Sequence, residues 1–442
     1  LKAKVGLIFS AVPPETKTWP YVGYNYEKRS EEILSILKKS MPEISFITKI
    51  IYSRKDVERI LDEIGDVDGY VIYFLGIWSG AYEKVLEKSK PTIFVDDLYA
   101  GSGEFLIGLA RARRKGYPVI GIASSKFSDI IETIKLLYVI NRLKNSRILV
   151  VTDRPTYLDW AFQGKHWETA EKLEKYFGIK IVVMKPEDLN KIYNEVSDEE
   201  AEKYFEKWVK KAVKIVEPSR DEIYRAARLH VAIKKAMEMT GANAVTIDCL
   251  GLVYGGKLPA YPCLSFVELN NEGFIGTCEA DIDSTVTMLM IRYLTNRPSF
   301  VSDPVIDLGS NQIIYVHCVA ATKIYGFDKV VDAPYILRSH AEDRSGVSVQ
   351  VLFPPGEKVT TVKLNIREMA LAIHSGRTVG NVEEDKGCRT KLAVEGDVDK
   401  IFENWNMVVD FGWHRVTVIG DWRKQFINLA RLLKLNIIEE DK

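Results

Sequence analysis

Short apolar runs alternate with amphipathic stretches through the first 150 or so residues. Residues 5–10, 44–51, 69–75, 92–95, 119–123 and 148–152 are nearly unbroken runs of Val, Ile, Leu, Phe and Tyr. Between them, segments such as 27–39 and 55–64 space their apolar residues three and four apart. A run with little polar alternation suits a strand buried on both faces, as in a parallel sheet covered by helices. The repeated strand–helix order therefore predicts an α/β fold built of doubly wound parallel sheets. A second strand series begins with 148–152 and 181–184, which places a boundary near Ser146.

Two charged helices are expected at 198–215 and 219–239. The second opens on Ser219 followed by Asp221 and Glu222, a capping residue with early acids. Residues 244–249 read as the next strand and lead into a Gly- and Pro-rich loop at 251–262. After Asn296 the texture changes. Strands at 313–318, 347–353 and 359–365, with a turn at Pro354, Pro355 and Gly356, read as an antiparallel β-rich region closed by a helix at 422–434. The expected organisation is an α/β domain over 1–146, a second α/β domain over 147–300 that carries part of the site, and a β-rich C-terminal domain over 301–442 that completes it.

Hydrophobic residues make up 46% of the chain and charged residues 28%, a globular balance. Lys+Arg and Asp+Glu both total 61, so the net charge is zero and the basic excess of a nucleic-acid binder is missing. The basic clusters at 111–115 and 207–211 read as solvated helix faces. Five cysteines without CxxC spacing argue against a disulfide framework and a zinc knuckle, and fit a reducing compartment. No apolar run approaches the roughly 18–20 residues of a membrane span, and segment 4–12 reads as a strand without a cleavage-site pattern. The expectation is a soluble cytoplasmic protein with neither nucleic acid nor membrane as partner.

No GxGxxG, GxxxxGK[ST] or GxSxG motif marks a cofactor or a serine nucleophile. Gly101 to Glu104, ahead of a helix, reads as a plain helix start or as an anion cradle. The most informative stretch is 276–284, where Glu279, Asp281 and Asp283 cluster at the start of an apolar helix. Acids there face the positive end of the helix dipole, which accounts for them without function. Two features point further. Glu279 ends an apolar stretch, where a buried acid needs a partner, and Asp303 follows 24 positions later in a loop at the end of the next expected strand. One helix and one strand separate the two acids, so both can emerge at one sheet edge as ligands of a hard divalent cation. One histidine would tilt such a site from Mg²⁺ toward Mn²⁺ or Co²⁺. Of the six histidines, His166 and His230 sit in charged helical surroundings and read as surface residues. His340 and His374 read as structural. His317, at the end of a β run, reads as core or site, and His414 lies in a Gly-containing turn between apolar strands.

The order of these pieces carries a resemblance. Cys278-Glu279-Ala280-Asp281, a helix, Phe300 to Asp303, then Val316-His317-Cys318 resembles the C-terminal half of L-fucose isomerase-like proteins and, more distantly, L-arabinose isomerases. The proline–glycine turn into Val359-Thr360, the loop 259–263, and Gly412-Trp413-His414 followed by Gly420-Asp421 extend it over residues 240–425. The resemblance implies two α/β domains, a β-rich domain and a metal between the last two. It implies Mn²⁺, with Co²⁺ or Mg²⁺ as alternatives, held by Glu279, Asp303 and His414, and His317 as a substrate contact or fourth ligand. The implied activity is aldose–ketose isomerisation of a pentose or a deoxy- or modified hexose through an enediol, with Glu279 and Asp303 as catalytic acid–base pair. A non-catalytic sugar-binding or regulatory protein and a metal-dependent aldolase or lyase are the alternatives. Tyr261, Trp413 and Trp78 are candidates to pack on the sugar's apolar face. The resemblance further implies a homotrimer or homohexamer with sites shared between neighbours. Light scattering on active protein should report a trimer or hexamer; an active monomer would remove the shared site.

Overall fold

The computed structural model describes residues 2–154 and 171–442. They form two compact units, one of residues 1–142 with 424–436 and one of residues 143–423 with 437–442. His166 lies outside the described residues.

The first unit holds a parallel five-stranded sheet of β1 (Ala3–Ser10), β2 (Ile44–Ile51), β3 (Gly69–Phe74), β4 (Thr92–Asp96) and β5 (Val119–Ala123), in the order β2-β1-β3-β4-β5. Every residue of β3 and β4 is buried, as unbroken apolar strands in a covered parallel sheet should be. A Cβ on Gly101 would meet the Phe74 carbonyl oxygen at 2.3 Å, so glycine lets the helix Ser102–Arg114 start close against β3. Glu104 then accepts the Ser79 and Gly80 N–H groups at 2.9 and 2.7 Å. That stretch is a packed helix start with its own carboxylate satisfying the neighbouring loop.

The second unit begins with a parallel sheet of β6 (Arg147–Val151), β7 (Lys180–Met184), β9 (Ala244–Ile247) and β10 (Ile275–Thr277), in the order β10-β9-β6-β7. The helix expected over 198–215 ends at Lys211, and Lys214–Ile215 form a short strand, β8. The helix Arg220–Thr240 opens with a capping box between Ser219 and Glu222. Its His230 is fully buried rather than on the surface. It shares a 2.9 Å hydrogen bond with Ser265, and its ring lies 4.3 Å from that of Tyr204. The helix is packed by Pro186–Glu195, Asp198–Lys211 and Cys263–Asn271, so charged residues near His230 in sequence do not mark an exposed face.

The β-rich part follows: β11 (Phe300–Asp307), β12 (Gln312–His317), β13 (Tyr335–Arg338), β14 (Ser348–Val351), β15 (Lys358–Asn365), β16 (Ala370–Asn381), β17 (Thr390–Glu395), β18 (Arg415–Ile419) and β19 (Asn436–Glu439). Seven of these order as β15-β18-β11-β12-β17-β16-β19, and β15 also pairs with β16, so the first six close on themselves. Closure leaves none of the six with an open edge. The chain thus combines parallel α/β sheets with a β-rich C-terminal sheet. The helix Arg423–Leu432 belongs, from Lys424 onward, to the first unit.

One buried charge network fastens the end of the chain to the closed sheet. Arg415 is 0% and Glu440 1% exposed, with Nη2 and Oε1 2.7 Å apart. His374 Nδ1 lies 2.9 Å from the same carboxylate, and the Arg415 guanidinium sits 3.7 Å from the centre of the Trp405 ring. Burial alone would raise the Glu440 carboxyl, but the His374 hydrogen bond and the Arg415 charge override it and hold it at about 2. That lies below the unfolded value of about 4.3. The pair's contribution is therefore complete above that value and is lost as pH falls from there toward about 2. Glu440→Gln strands a buried guanidinium and should cost about 3–5 kcal/mol. Denaturant melts of the full chain should show that loss at neutral pH and a shallower acid limb; an unchanged midpoint would contradict it.

Candidate functional site

Glu279 leaves the end of β10 with φ +62°, and Ala280 follows at +53°. The Ala280 N–H donates to the Ile247 carbonyl at 3.0 Å, which ties the loop to the end of β9. A non-glycine residue in the left-handed region costs roughly 1–3 kcal/mol when the surroundings impose it. Two in succession mark a loop held against local preference, which a plain helix start does not need.

Asp303 sits within β11 rather than in a loop after a strand. Its ladder partner on one side is Val316 of β12, and on the other side Ser302 pairs with Arg415 of β18. His317 is one residue beyond Val316, and His414 one residue before Arg415. Three adjacent strands therefore deliver Asp303, His317 and His414 to one corner of the closed sheet. Glu279 arrives from the parallel sheet, so the two acids come from different sheets and not from one edge.

His414 Nε2 lies 3.7 Å from Glu279 Oε2 and 3.5 Å from Asp303 Oδ1. His317 Nε2 is 3.9 Å from Glu279 Oε1, and the two imidazoles are 5.4 Å apart. Ligand atoms of Glu279, His317 and His414 all fall within 4.8 Å of one another; Asp303 joins through His414. Donors about 2.1 Å from a shared cation stand about 3.0–3.5 Å apart, so His414 Nε2 and either carboxylate are a small contraction away from sharing one ion. Both Nε2 atoms are buried without a hydrogen-bond partner among the described residues. Such an orphan costs roughly 1–3 kcal/mol unless something occupies the space it faces. The residues present fit a divalent cation. Asp303, with 43% of its side chain exposed, forms the solvent side.

The three acids at the helix start do different things. Asp281 caps the helix Ile282–Thr295, accepting the Ser284 N–H at 2.8 Å. The same carboxylate lies 2.7 Å from Lys363 Nζ and 2.8 Å from His414 Nδ1. Burial works to raise its carboxyl, yet Lys363 and His414 hold it well below the usual range. Asp283 faces inward, where burial pushes it up to about 7 although Ile366 donates its N–H to it at 3.2 Å. Burial also raises Glu279, against the pull of His317 and His414. The dipole argument holds for Asp281 and leaves Glu279 unexplained.

The two histidines differ in which nitrogen is free. His414 Nδ1 faces the Asp281 carboxylate and must donate, so Nε2 keeps its lone pair toward Glu279 and Asp303. His317 Nδ1 instead accepts the Cys318 N–H at 2.9 Å, which puts the proton of a neutral ring on Nε2. His414 is arranged as a ligand and His317 as a hydrogen-bond donor.

Sulfoquinovose isomerases resemble part of this chain. The protein of Clostridium sp. (strain MSTE9) is 24% identical over 218 residues, 47% of this chain and 46% of that protein. That of Priestia aryabhattai is 22% identical over 196 residues, 43% of this chain and 42% of its own. The chain thus matches under half the length of these curated relatives. No protein-family model matches the chain.

The remaining candidates divide. His374 is buried between Tyr315 and Glu440, a structural position. Tyr261 is taken up by stacking on His340 at 4.2 Å and by donating to Asp343 at 2.6 Å. Trp413 is 81% exposed beside His414, and Trp78 belongs to the other unit. Lys363 went unnoticed in the sequence because an alternating strand gives a lysine no reason to be buried; here it is 2% exposed.

Long-range ¹H–¹⁵N spectra of histidine-labelled, metal-free protein, assigned with single His→Gln variants, test the tautomers. His414 should carry its proton on Nδ1 and His317 on Nε2. Finding the same tautomer in both would end the division of roles.

Proposed function

We propose that this chain is a divalent-cation-dependent aldose–ketose isomerase, with Glu279, Asp303 and His414 as ligands and His317 as a donor to the substrate. The observation that carries the reading is His414 Nε2, buried without a hydrogen-bond partner among the described residues, aimed at two carboxylates and backed through Nδ1 by Asp281. The sulfoquinovose isomerases matched in part support the same reaction class. Mn²⁺ is the proposed ion, with Co²⁺ or Mg²⁺ as alternatives; when bound, it supplies Lewis-acid polarisation of the sugar's carbonyl and neighbouring hydroxyl.

The chain's own residues then move a proton. Glu279, whose proton affinity is raised by burial, is suited to take the proton from carbon 2 of the aldose. The electrons of that C–H bond form a carbon 1–carbon 2 double bond while the carbonyl pair passes to oxygen 1, which takes the oxygen-2 hydroxyl proton and leaves an enediolate charged on oxygen 2. Protonation at carbon 1, from Glu279 or from Asp303 on the solvent side, gives the ketose. His317 Nε2–H donates to a substrate oxygen and fixes which face meets Glu279. The name of the relatives makes sulfoquinovose the first sugar to test, beside L-fucose and L-arabinose.

Incubation of this panel with Mn²⁺-loaded protein in D₂O, followed by NMR, tests the reaction. The ketose should form with solvent deuterium at carbon 1, because a carboxylate reached by water exchanges its proton. A ketose without deuterium would replace proton transfer by a hydride shift, and no ketose from any sugar would remove the isomerase reading. His414→Gln should lose Mn²⁺ by elemental analysis, whereas His317→Gln should keep it and lose turnover.

A further inference from the structure

All five cysteines, at positions 249, 263, 278, 318 and 388, gather in one place, although their sequence spacing suggested no metal site. The Cys318 thiol reaches Cys263, Cys278 and Cys388, and Cys278 also reaches Cys249 and Cys263. The sulfurs of Cys263 and Cys318 are 3.2 Å apart. A disulfide would bring them to about 2.0 Å, whereas two thiolates on one zinc stand about 3.8 Å apart, given Zn–S bonds of about 2.3 Å. Ligand atoms of Cys263, Cys318 and His340 lie within 4.8 Å of one another, and all three residues are buried. Glu342 Oε2 is 2.6 Å from His340 Nδ1, near the place of the carboxylate that usually backs a metal-bound imidazole, although the pair is not aligned as a hydrogen bond. Thiols are weak hydrogen-bond partners, so mutual contact alone gives little reason for several to converge from separate elements.

We infer that Cys263, Cys318 and His340 form a buried structural site for a thiophilic divalent cation, Zn²⁺ foremost. Cys278, in reach of both sulfurs but outside their 4.8 Å group with His340, moves in as the fourth ligand. Three cysteines and one histidine make a closed tetrahedral zinc set, unlike the oxygen-rich site of Glu279 and Asp303. Cys388 stays outside, with its sulfur 3.7 Å from Glu342. The placement gives the ion a purpose. Cys278 precedes Glu279, and Cys318 follows His317, so one ion would pin the strained loop after β10 to the end of β12 directly behind the candidate site. Binding would release the thiol protons to solvent and leave the oxidation state of sulfur unchanged.

The test uses the full chain and does not depend on finding a sugar substrate. In a Glu279→Gln background, which disables the oxygen-rich site, protein produced with added zinc should carry one Zn²⁺ per chain by elemental analysis, kept when Cys388→Ser is added and lost when Cys263→Ser or Cys318→Ser is added. Because a cysteine variant can fail to fold, wild-type protein is also exchanged with Co²⁺. Tetrahedral ligand-field bands with intense sulfur-to-cobalt charge transfer are the expected result. Co²⁺ bound without charge transfer would overturn the proposal, as would zinc-free protein that gains a Cys263–Cys318 disulfide on mild oxidation and folds equally well.

Discussion

A single carboxylate holds the second unit's two halves in register. Asp281 caps the helix Ile282–Thr295, neutralises the buried Lys363 of β15, and orients His414 ahead of β18. A lysine ammonium in the interior is sustained only by a close counter-charge and full hydrogen bonding. For Lys363, Asp281 supplies the counter-charge at 2.7 Å and Ser284 Oγ a second acceptor at 2.5 Å. The parallel-sheet part contributes the acid and the β-rich part the base. Neither charge can be satisfied unless the two pack as they do, and His414 is aimed by that same fit.

The geometry around Glu279 follows from this constraint. Once the helix start is fixed by Asp281, the chain between the end of β10 and that cap has only three residues, Cys278, Glu279 and Ala280. Two of them take left-handed conformations to make the turn. Strain of this kind persists where tertiary contacts outweigh it. Here they include the Ala280–Ile247 hydrogen bond below and the packed thiols of Cys278, Cys263 and Cys318 behind. The outcome is a carboxylate projected toward two imidazole nitrogens that have no hydrogen-bond partner among the described residues. Closure of the six β-strands supplies the opposite wall, since β12, β11 and β18 are neighbours only in the folded sheet.

Much of the architecture was legible before folding. Unbroken apolar runs specify strands buried on both faces, and those of the first 150 residues form parallel sheets. Ser219 with Glu222 specifies a helix start by local hydrogen bonding, and the structure has that capping box. These features are short-range: they depend on the character of residues a few positions apart. The chemistry of Glu279, Asp303 and His414 was also visible as residue types, because a buried acid or imidazole calls for a partner wherever it lies.

The choice of partners depended on tertiary contacts. Position 363 in an alternating strand reads as solvated, and it is buried only because the helix Ile282–Thr295 covers that face. His230 reads as exposed from its charged neighbours, yet Tyr204, Trp208 and Ser265 from two packed helices surround its ring. The cysteine spacing carries no metal signal, since five thiols separated by between 14 and 70 positions meet only after both sheets have formed. The sequence by itself determined the elements and the kinds of side chain available, because those follow from periodicity and local hydrogen bonding. Tertiary structure alone decided which acid caps, which ligates and which histidine nitrogen keeps its lone pair, because each depends on a neighbour brought in by long-range packing.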